Sequence, residues 1–137
     1  LATDKSVFVK QGNIILTIQG SIGRIAMTQY DAYVDRTLLI FTDYIVPIDK
    51  MFFLYIVLEI FRIEKQNAPG GIIKTITKAE LSKFKISYPK LEEQNRIATI
   101  LSDMEKEIEK LEDKLDKYKA VKQGLMQQLL TGKIRLV

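Results

Sequence analysis

Residues 91–130 read LEEQNRIATILSDMEKEIEKLEDKLDKYKAVKQGLMQQLL, and they contain the strongest structural signal in the chain. Within them, positions recur in alternating steps of four and three, and all of these positions except Lys122 are apolar. They are named the seam from here on: Ile97, Leu101, Met104, Ile108, Leu111, Leu115, Tyr118, Lys122, Leu125 and Leu129. An unbroken seven-residue apolar repeat is typical of a helix that pairs with another helix in a coiled coil. We therefore predict one helix over Leu91–Leu130 with a partner helix along its seam.

The predicted helix is too long to be covered by its own domain. At a rise of 1.5 Å per residue it would extend roughly 60 Å, whereas the preceding part of the chain has only about ninety residues for a compact domain. The isolated chain is therefore expected to form a homodimer through this helix. As a polar seam residue, Lys122 could help to set the orientation of the pair, at some cost in stability.

Composition limits the rest of the chain to one small globular domain. The chain has 137 residues, of which 47% are hydrophobic, so it can form one core of moderate size. We expect a first domain over residues 1–89 and a spacer helix with a short tail over residues 90–137. The formal net charge of +4 permits a polyanionic partner without requiring one. Because the chain begins with Leu1, we expect a fragment or a processed product.

The residue types that are absent exclude several classes of protein. The sequence contains no Cys and no His, so disulfides, thiolate metal sites and His-dependent hydrolytic triads are excluded. We expect no catalytic residues, no metal and no cofactor. The most apolar stretch, Met51 to Phe61, is too short to span a bilayer. No membrane association is expected, and the absence of Cys fits the cytoplasm.

Short apolar runs separated by turn signals predict the first elements of the globular domain. Strands are expected at residues 14–18, 24–28 and 33–41, with Gly20 and Gly23 forming a tight reversal between the first two. Asp49 is expected to cap a buried helix. The predicted apolar face of this helix consists of Met51, Phe52, Leu54, Tyr55, Leu58 and Phe61.

The pattern after this helix predicts smaller elements. A loop is expected over Gln66 to Gly71, where Asn, Pro and two glycines follow one another. A strand is expected at residues 72–76, a capping box with one helical turn at residues 77–80, and a last strand at residues 84–88. The predicted fold class is α+β: a small mixed sheet with one buried helix, followed by a long C-terminal coiled-coil helix.

The junction before the long helix resembles a known family. Residues 86–101, ISYPKLEEQNRIATIL, are similar to the junction of strand, proline, Glu-Gln and helix start in the specificity subunit of type I restriction-modification systems. Two weaker matches, residues 12–24 and 124–132, occur in the same order as in the family. The resemblance covers nearly the whole chain. Asn13 stands where an acidic residue is frequent in the family, although its role in the turn is preserved.

This resemblance implies a non-catalytic subunit that guides other subunits to DNA. In the family, a target-recognition domain reads double-stranded DNA, and a spacer helix pairs antiparallel with a sister helix. Modification (methyltransferase) subunits dock on this framework, and restriction subunits join through them. A rigid spacer between two recognition domains would give a bipartite target with a fixed gap. A complete member has two recognition domains and two spacers, whereas this chain has one spacer and only the later part of one recognition domain.

Candidate DNA-binding residues lie beside the glycines, where the backbone can approach a groove closely. Amide side chains suit adenine edges, and cations suit guanine or phosphate. The candidates of the first loop are Gln19, Ser21 and Arg24, and those of the second loop are Lys65, Gln66, Asn67 and Lys74. Each could instead be an ordinary solvated loop residue.

Some features of the sequence point to two other functions. Glu112-Asp113-Lys114 has a nuclease-like spacing, but its place on a charged helix flank favours a solvated helix face. The sequence contains no phosphate-binding loop and no signature for S-adenosylmethionine. The alternative function is a structural module that dimerises through its helix and binds protein without nucleic acid. The even distribution of charge along the chain is compatible with this alternative.

Overall fold

The computed structural model describes residues 6–67 and 76–136. In these residues, short strands come first and helices follow. The elements are β1 (Val7–Val9), β2 (Ile14–Thr17), β3 (Ile25–Met27), β4 (Ala32–Val34), β5 (Leu38–Phe41), α1 (Lys50–Asn67), α2 (Lys78–Leu81) and α3 (Leu91–Leu130). The predicted α+β class and the long C-terminal helix are confirmed. None of the helices in the described part is long and apolar enough to cross a membrane.

The strands form two small antiparallel sheets, one of order β3-β2-β5 and one that pairs β1 with β4. The central strand β2 alternates, because Ile14 and Leu16 are fully buried while Ile15 and Thr17 lie on the other face. The predicted hairpin of β2 and β3 is confirmed, with Ile15 opposite Ala26. Strand β1 was not predicted, because three residues are too few for a periodic signal.

The single strand predicted over residues 33–41 is wrong. The structure has two strands there, β4 and β5, and they belong to different sheets. A turn separates them, because the Asp35 carboxylate accepts a hydrogen bond from the Thr37 backbone N–H at 2.5 Å. Hydrogen bonds from Thr37 also lower the pKa of Asp35. A side chain that binds the backbone two residues later offers an alternative to sheet pairing.

Helix α1 begins where it was predicted. The Asp49 carboxylate accepts a hydrogen bond from the Phe52 backbone N–H at 2.8 Å and so caps the helix. The buried face differs from the predicted one, because Phe53 and Val57 are buried with Phe61 while Leu58 is exposed. The Phe53 ring contacts the Phe41 ring edge-on at a centroid distance of 5.0 Å, so contacts with the sheet set the rotation of the helix.

Residues 76–90 have less regular structure than was predicted. The capping box at Thr77 and Glu80 is confirmed, and it begins the single turn of α2. The strand predicted at 84–88 is wrong, since no strand is assigned there. Phe84 and Ile86 nevertheless pack against the core. Most of the strand predicted at 72–76 lies outside the described residues, and Ile76 is buried in the core.

The start of α3 is tied to the start of α1 by one buried side chain. Gln94 is only 1% exposed. Its Oε1 accepts a hydrogen bond from the Asp49 backbone N–H at 2.9 Å, and its Nε2 donates to the Pro89 carbonyl at 2.8 Å. Gln94 of the Glu93-Gln94 pair therefore has a structural role, because it joins two helix N-termini through their backbones.

We expect Gln94→Ala to lower the free energy of unfolding by about 2 kcal/mol, since it leaves a part-buried N–H and a part-buried C=O without their partner. Urea unfolding followed by circular dichroism measures this change. Glu93→Ala is the matched control, because Glu93 is an exposed neighbour on the same turn. A loss below 0.5 kcal/mol for the Gln94 variant would show that the joint contributes little.

The chain divides into two compact units, Leu1–Ala98 and Thr99–Val137. The first contains both sheets, α1, α2 and the beginning of α3. The second consists of the remainder of α3 and the tail. The helix ends at the predicted residue, where Gly132 adopts a positive φ of 70° and its N–H donates to the Leu129 carbonyl at 3.2 Å. The division predicted between residues 89 and 90 stays a prediction.

Candidate functional site

The loop of residues 18–24, which joins β2 to β3, is held in a defined conformation by Thr17. The Thr17 hydroxyl donates to the Ser21 carbonyl at 2.5 Å and accepts from the Arg24 backbone N–H at 3.0 Å. The Thr17 N–H also donates to the Arg24 carbonyl at 2.9 Å. These bonds close the base of the loop, so its exposed side chains project from an ordered backbone.

The same loop packs on α1 through Gly23. This glycine has a φ of +83°, and a Cβ at its position would lie 2.6 Å from Cδ1 of Phe61. Contact this close is possible only without a side chain, and the left-handed backbone also favours glycine. Gly20 has a φ of +72° as well, but a Cβ there would meet open space. Gly23 therefore fixes the loop against the helix, whereas Gly20 only allows it to turn.

The predicted DNA-binding residues whose side chains the structure describes lie on two segments, the 18–24 loop and the end of α1, which meet where Gly23 approaches Phe61. Gln19, Ser21 and Arg24 are exposed on the 18–24 loop. Lys65 and Gln66 are exposed too, but the prediction that they belong to a loop is wrong. They lie on the last turns of α1, which continues to Asn67 because no helix-breaking residue precedes that point.

The contact between Gly23 and Phe61 explains why these two groups are neighbours. Lys65 follows Phe61 by four residues, or about one helical turn, so the end of α1 lies beside the loop. Two predicted site residues cannot be located in this way. Lys74 lies outside the described residues, and the side chain of Asn67 lies outside them as well.

The turn of residues 35–37 adjoins the 18–24 loop. It is not among the candidates predicted from the sequence. The Ile18 N–H donates to the Thr37 carbonyl at 2.9 Å, which places turn 35–37 next to the start of the 18–24 loop. We name this side of the sheets the loop end. The opposite end is formed by turns 10–13 and 28–31, which are joined by the bond from the Gly12 N–H to the Thr28 carbonyl at 2.8 Å. The Asp-x-Thr pattern of residues 35–37 is the signal that could have revealed the turn.

The cations near the loop end differ in whether they have an acidic partner. Arg62 forms an ion pair with Glu59 at 2.5 Å. This pair lowers the pKa of Glu59 and raises that of Arg62. Within the described residues, Arg24 and Lys65 have no such ion pair. Their charges are therefore available to an anionic ligand.

The described candidate side chains are chemically suited to binding. A guanidinium, an ammonium and amides beside an ordered loop can donate hydrogen bonds to phosphates or base edges. Among residues 6–67 and 76–136, no group of three or more acidic, His or Cys side chains could hold a metal ion. The predicted candidates are thus suited to recognition of a polyanion.

The second candidate surface is the seam of α3. Ile97 and Leu101 are half-buried, but the seam is exposed from Met104 onward. Leu111 is 57% exposed and Leu115 is 53% exposed. An apolar groove of about 500 Å³ follows the last turns of the helix. It is lined by Tyr118, Val121, Lys122, Leu125, Met126, Leu129 and Leu130. Continuous exposed apolar surface of this kind marks a contact site for another macromolecule.

Comparison with known proteins finds similarity to one family. The family model described as "Type I restriction modification DNA specificity domain" matches residues 1–118. The chain is 28% identical over 128 residues to the "Putative type I restriction enzyme MjaX specificity subunit" of Methanocaldococcus jannaschii. The matched residues make up 93% of this chain and 30% of the relative.

A second relative comes from a bacterium. The chain is 31% identical over 103 residues to the "Putative type I restriction enzyme specificity subunit S.HindORF215P" of Haemophilus influenzae. The matched residues make up 74% of this chain and 26% of the relative. The chain thus spans less than a third of the length of either relative.

Proposed function

Because this chain belongs to the family of type I restriction-modification DNA specificity domains, we propose that it is a non-catalytic DNA-recognition component of a type I restriction-modification complex. It reads one half of a bipartite target in double-stranded DNA. Its α3 helix is the spacer on which modification subunits dock, and restriction subunits join through them. The observation that carries this proposal is the exposed seam of α3 directly after a unit with an ordered, partly cationic loop.

The loop end supports DNA recognition by its chemistry. Gln19 has an amide that can form two hydrogen bonds with an adenine edge, while Arg24 can contact guanine or phosphate. Gln66 and Lys65 offer the same two kinds of group from α1. Because Thr17 and Gly23 fix the loop backbone, little conformational entropy is lost when these side chains meet DNA.

The seam supports pairing with a second helix. Half-exposed apolar side chains follow the seven-residue repeat of the seam, and a partner helix that removes them from water stabilises the pair. In the isolated chain, we propose that the partner is α3 of a second copy, which gives a homodimer. In a complete assembly, a sister spacer helix takes the same place.

The distribution of charge along α3 favours an antiparallel pair. Residues 91–113 contain eight acidic and three basic side chains, whereas residues 114–130 contain one acidic and four basic side chains. Antiparallel helices place each acidic half beside a basic half, while parallel helices place like charges together. An antiparallel pair also points the two recognition units away from each other, so a rigid spacer between them defines a fixed gap between half-sites.

One observation favours the alternative function, a dimeric module that binds protein alone. Phe8 and Tyr33 face each other across β1 and β4, with ring centroids 5.4 Å apart, and both are exposed. Exposed aromatic pairs are frequent in protein interfaces. Under this alternative, changes in the seam would abolish association, and changes at the loop end would have no effect.

Charge reversal at the loop end separates the two functions. We expect Arg24→Glu to weaken binding of a duplex by the chain in complex with its modification subunit by roughly ten- to a hundredfold, or about 1–3 kcal/mol. Fluorescence anisotropy at physiological salt measures this change. Lys10→Glu is the control, because Lys10 is an exposed cation at the opposite end. Equal affinities for Arg24→Glu and the unaltered complex would favour the alternative.

A further inference from the structure

Arg36 lies on the turn that adjoins the candidate DNA-binding loop, and neither the sequence patterns nor the family match assigns it a role. The turn is rigid, because the Asp35 carboxylate accepts the Thr37 N–H at 2.5 Å and the Thr37 carbonyl accepts the Ile18 N–H at 2.9 Å. Arg36 is exposed at the tip of this turn. The hydrogen bonds on either side of Arg36 thus fix the position of its backbone beside the 18–24 loop.

The charge of Arg36 is not neutralised by an ion pair within the described residues. Arg62 and Arg96 differ in this respect, since they pair with Glu59 and Glu92 at 2.5 Å and 2.7 Å. The acid next to Arg36 is Asp35, and its carboxylate is already bound to the backbone of the turn. Arg36 therefore resembles Arg24, since neither guanidinium has an ion-pair partner in the part of the chain that the structure describes, and both lie on an ordered backbone.

The two ends of the sheets differ in charge. Among the described residues, the loop end with the last turns of α1 carries three cations outside an ion pair, Arg24, Arg36 and Lys65, and two acids, Asp35 and Glu64; Arg62 and Glu59 neutralise each other. The opposite end has more acids, namely Asp31, Asp43 and Asp49, and its cations are Lys10 and Lys50. Lys50 donates to the Gly12 carbonyl at 2.8 Å, and Asp31 accepts from the Gln11 N–H at 2.8 Å. A polyanion is consequently attracted to the loop end.

The spacing of Arg24 and Arg36 suits a duplex. Thr17 of β2 pairs with Leu38 of β5, and its N–H bonds to the Arg24 carbonyl, so Arg24 and the turn flank β2 on opposite sides. Neighbouring strands are about 4.8 Å apart, which puts the two backbones on the order of 10 Å apart. The major groove is about 12 Å wide. Two flexible guanidinium groups at this spacing can reach phosphates on both sides of a groove.

We infer that Arg36 binds a backbone phosphate of the same duplex that the 18–24 loop contacts. This inference rests on the proposed function, because it requires that the loop end faces DNA. It adds a contact that positions the protein on the duplex without reading its sequence.

The salt dependence of binding tests the inference. For the chain in complex with its modification subunit, Arg36→Gln should reduce the slope of log Kobs against log[salt] by roughly 0.9, the contribution of one phosphate contact. It should weaken binding equally for a selected duplex and for a scrambled one. Arg36→Lys should keep most of the slope, because the charge remains. Lys10→Gln, at the opposite end, should leave the slope unchanged.

The outcomes separate this inference from the function on which it rests. If the unaltered complex binds duplex DNA selectively and Arg36→Gln leaves the slope unchanged, Arg36 does not contact phosphate and the inference fails alone. If Arg36→Gln changes the affinity for the selected duplex only, the residue reads bases, and the inference is likewise wrong. If the unaltered complex binds DNA no better than an unrelated protein of equal charge, both the proposed function and the inference about Arg36 are wrong.

Discussion

Leu111→Asp should convert a dimer of this chain into a monomer. Leu111 is 57% exposed in the single chain, so pairing can bury roughly half of its side chain, which is worth about 1 kcal/mol in each subunit. An Asp at this position also places an unpaired charge in an apolar seam, which weakens dimerisation by at least another ~1 kcal/mol per subunit. Because the dimer contains the change twice, we expect a total of about 4 kcal/mol, or roughly a thousandfold rise in the dimer Kd.

Sedimentation equilibrium over a range of concentrations measures the dimer Kd. Leu115→Asp should act in the same way, since it lies one step along the seam and is exposed to a similar extent. Ala120→Asp is the matched control, because Ala120 is an exposed residue on the face of α3 away from the seam. Equal effects of Leu111→Asp and Ala120→Asp would show that the seam does not mediate the association.

Gly23→Ala should destabilise the first unit more than any other substitution that adds one methyl group to the 18–24 loop. The left-handed backbone at Gly23 costs an Ala about 1–2 kcal/mol, and overpacking against the Phe61 ring adds about 1–3 kcal/mol. We expect a loss of about 3 kcal/mol in the free energy of unfolding, and weaker DNA binding because the loop must shift away from α1. Gly20→Ala has a positive φ but open space around it, so it should lose only about 1 kcal/mol.

Urea unfolding of the two glycine variants separates backbone strain from the contact with Phe61. Adding Phe61→Ala to each variant makes the separation sharper, since alanine lacks the Cγ and Cδ1 atoms that the new methyl group would meet. It should relieve Gly23→Ala and leave Gly20→Ala unchanged. Equal losses for the two glycine variants would mean that Gly23 is needed only for its backbone conformation. The loop would then not depend on α1 for its position.

The elements that could be predicted from sequence are those with local signals. The seam repeat predicted α3 from Leu91 to Leu130, the glycines predicted the hairpin of β2 and β3, and Thr77 with Glu80 predicted the capping box. Each of these signals depends on residues within a few positions of one another. Local propensity and final structure agree at these places.

The features that were missed depend on contacts between distant parts of the chain. Gln94 looks like an ordinary polar residue in a helix, and its role appears only when Asp49 lies beside it. The buried face of α1 is rotated because Phe53 meets Phe41 across the sheet. The candidate site shows the same limit, since Arg36 joins the loop through a bond between Ile18 and Thr37 that no periodic pattern reveals.

Selection from a random duplex library tests the central claim most directly. The chain, mixed with a type I modification subunit at physiological salt, is allowed to bind the library, and the retained DNA is sequenced. The account predicts enrichment of a split motif with a fixed gap, because paired spacer helices hold two recognition units at one separation. A library that stays flat, although the complex is confirmed to have formed, would contradict the claim that this chain reads DNA sequence.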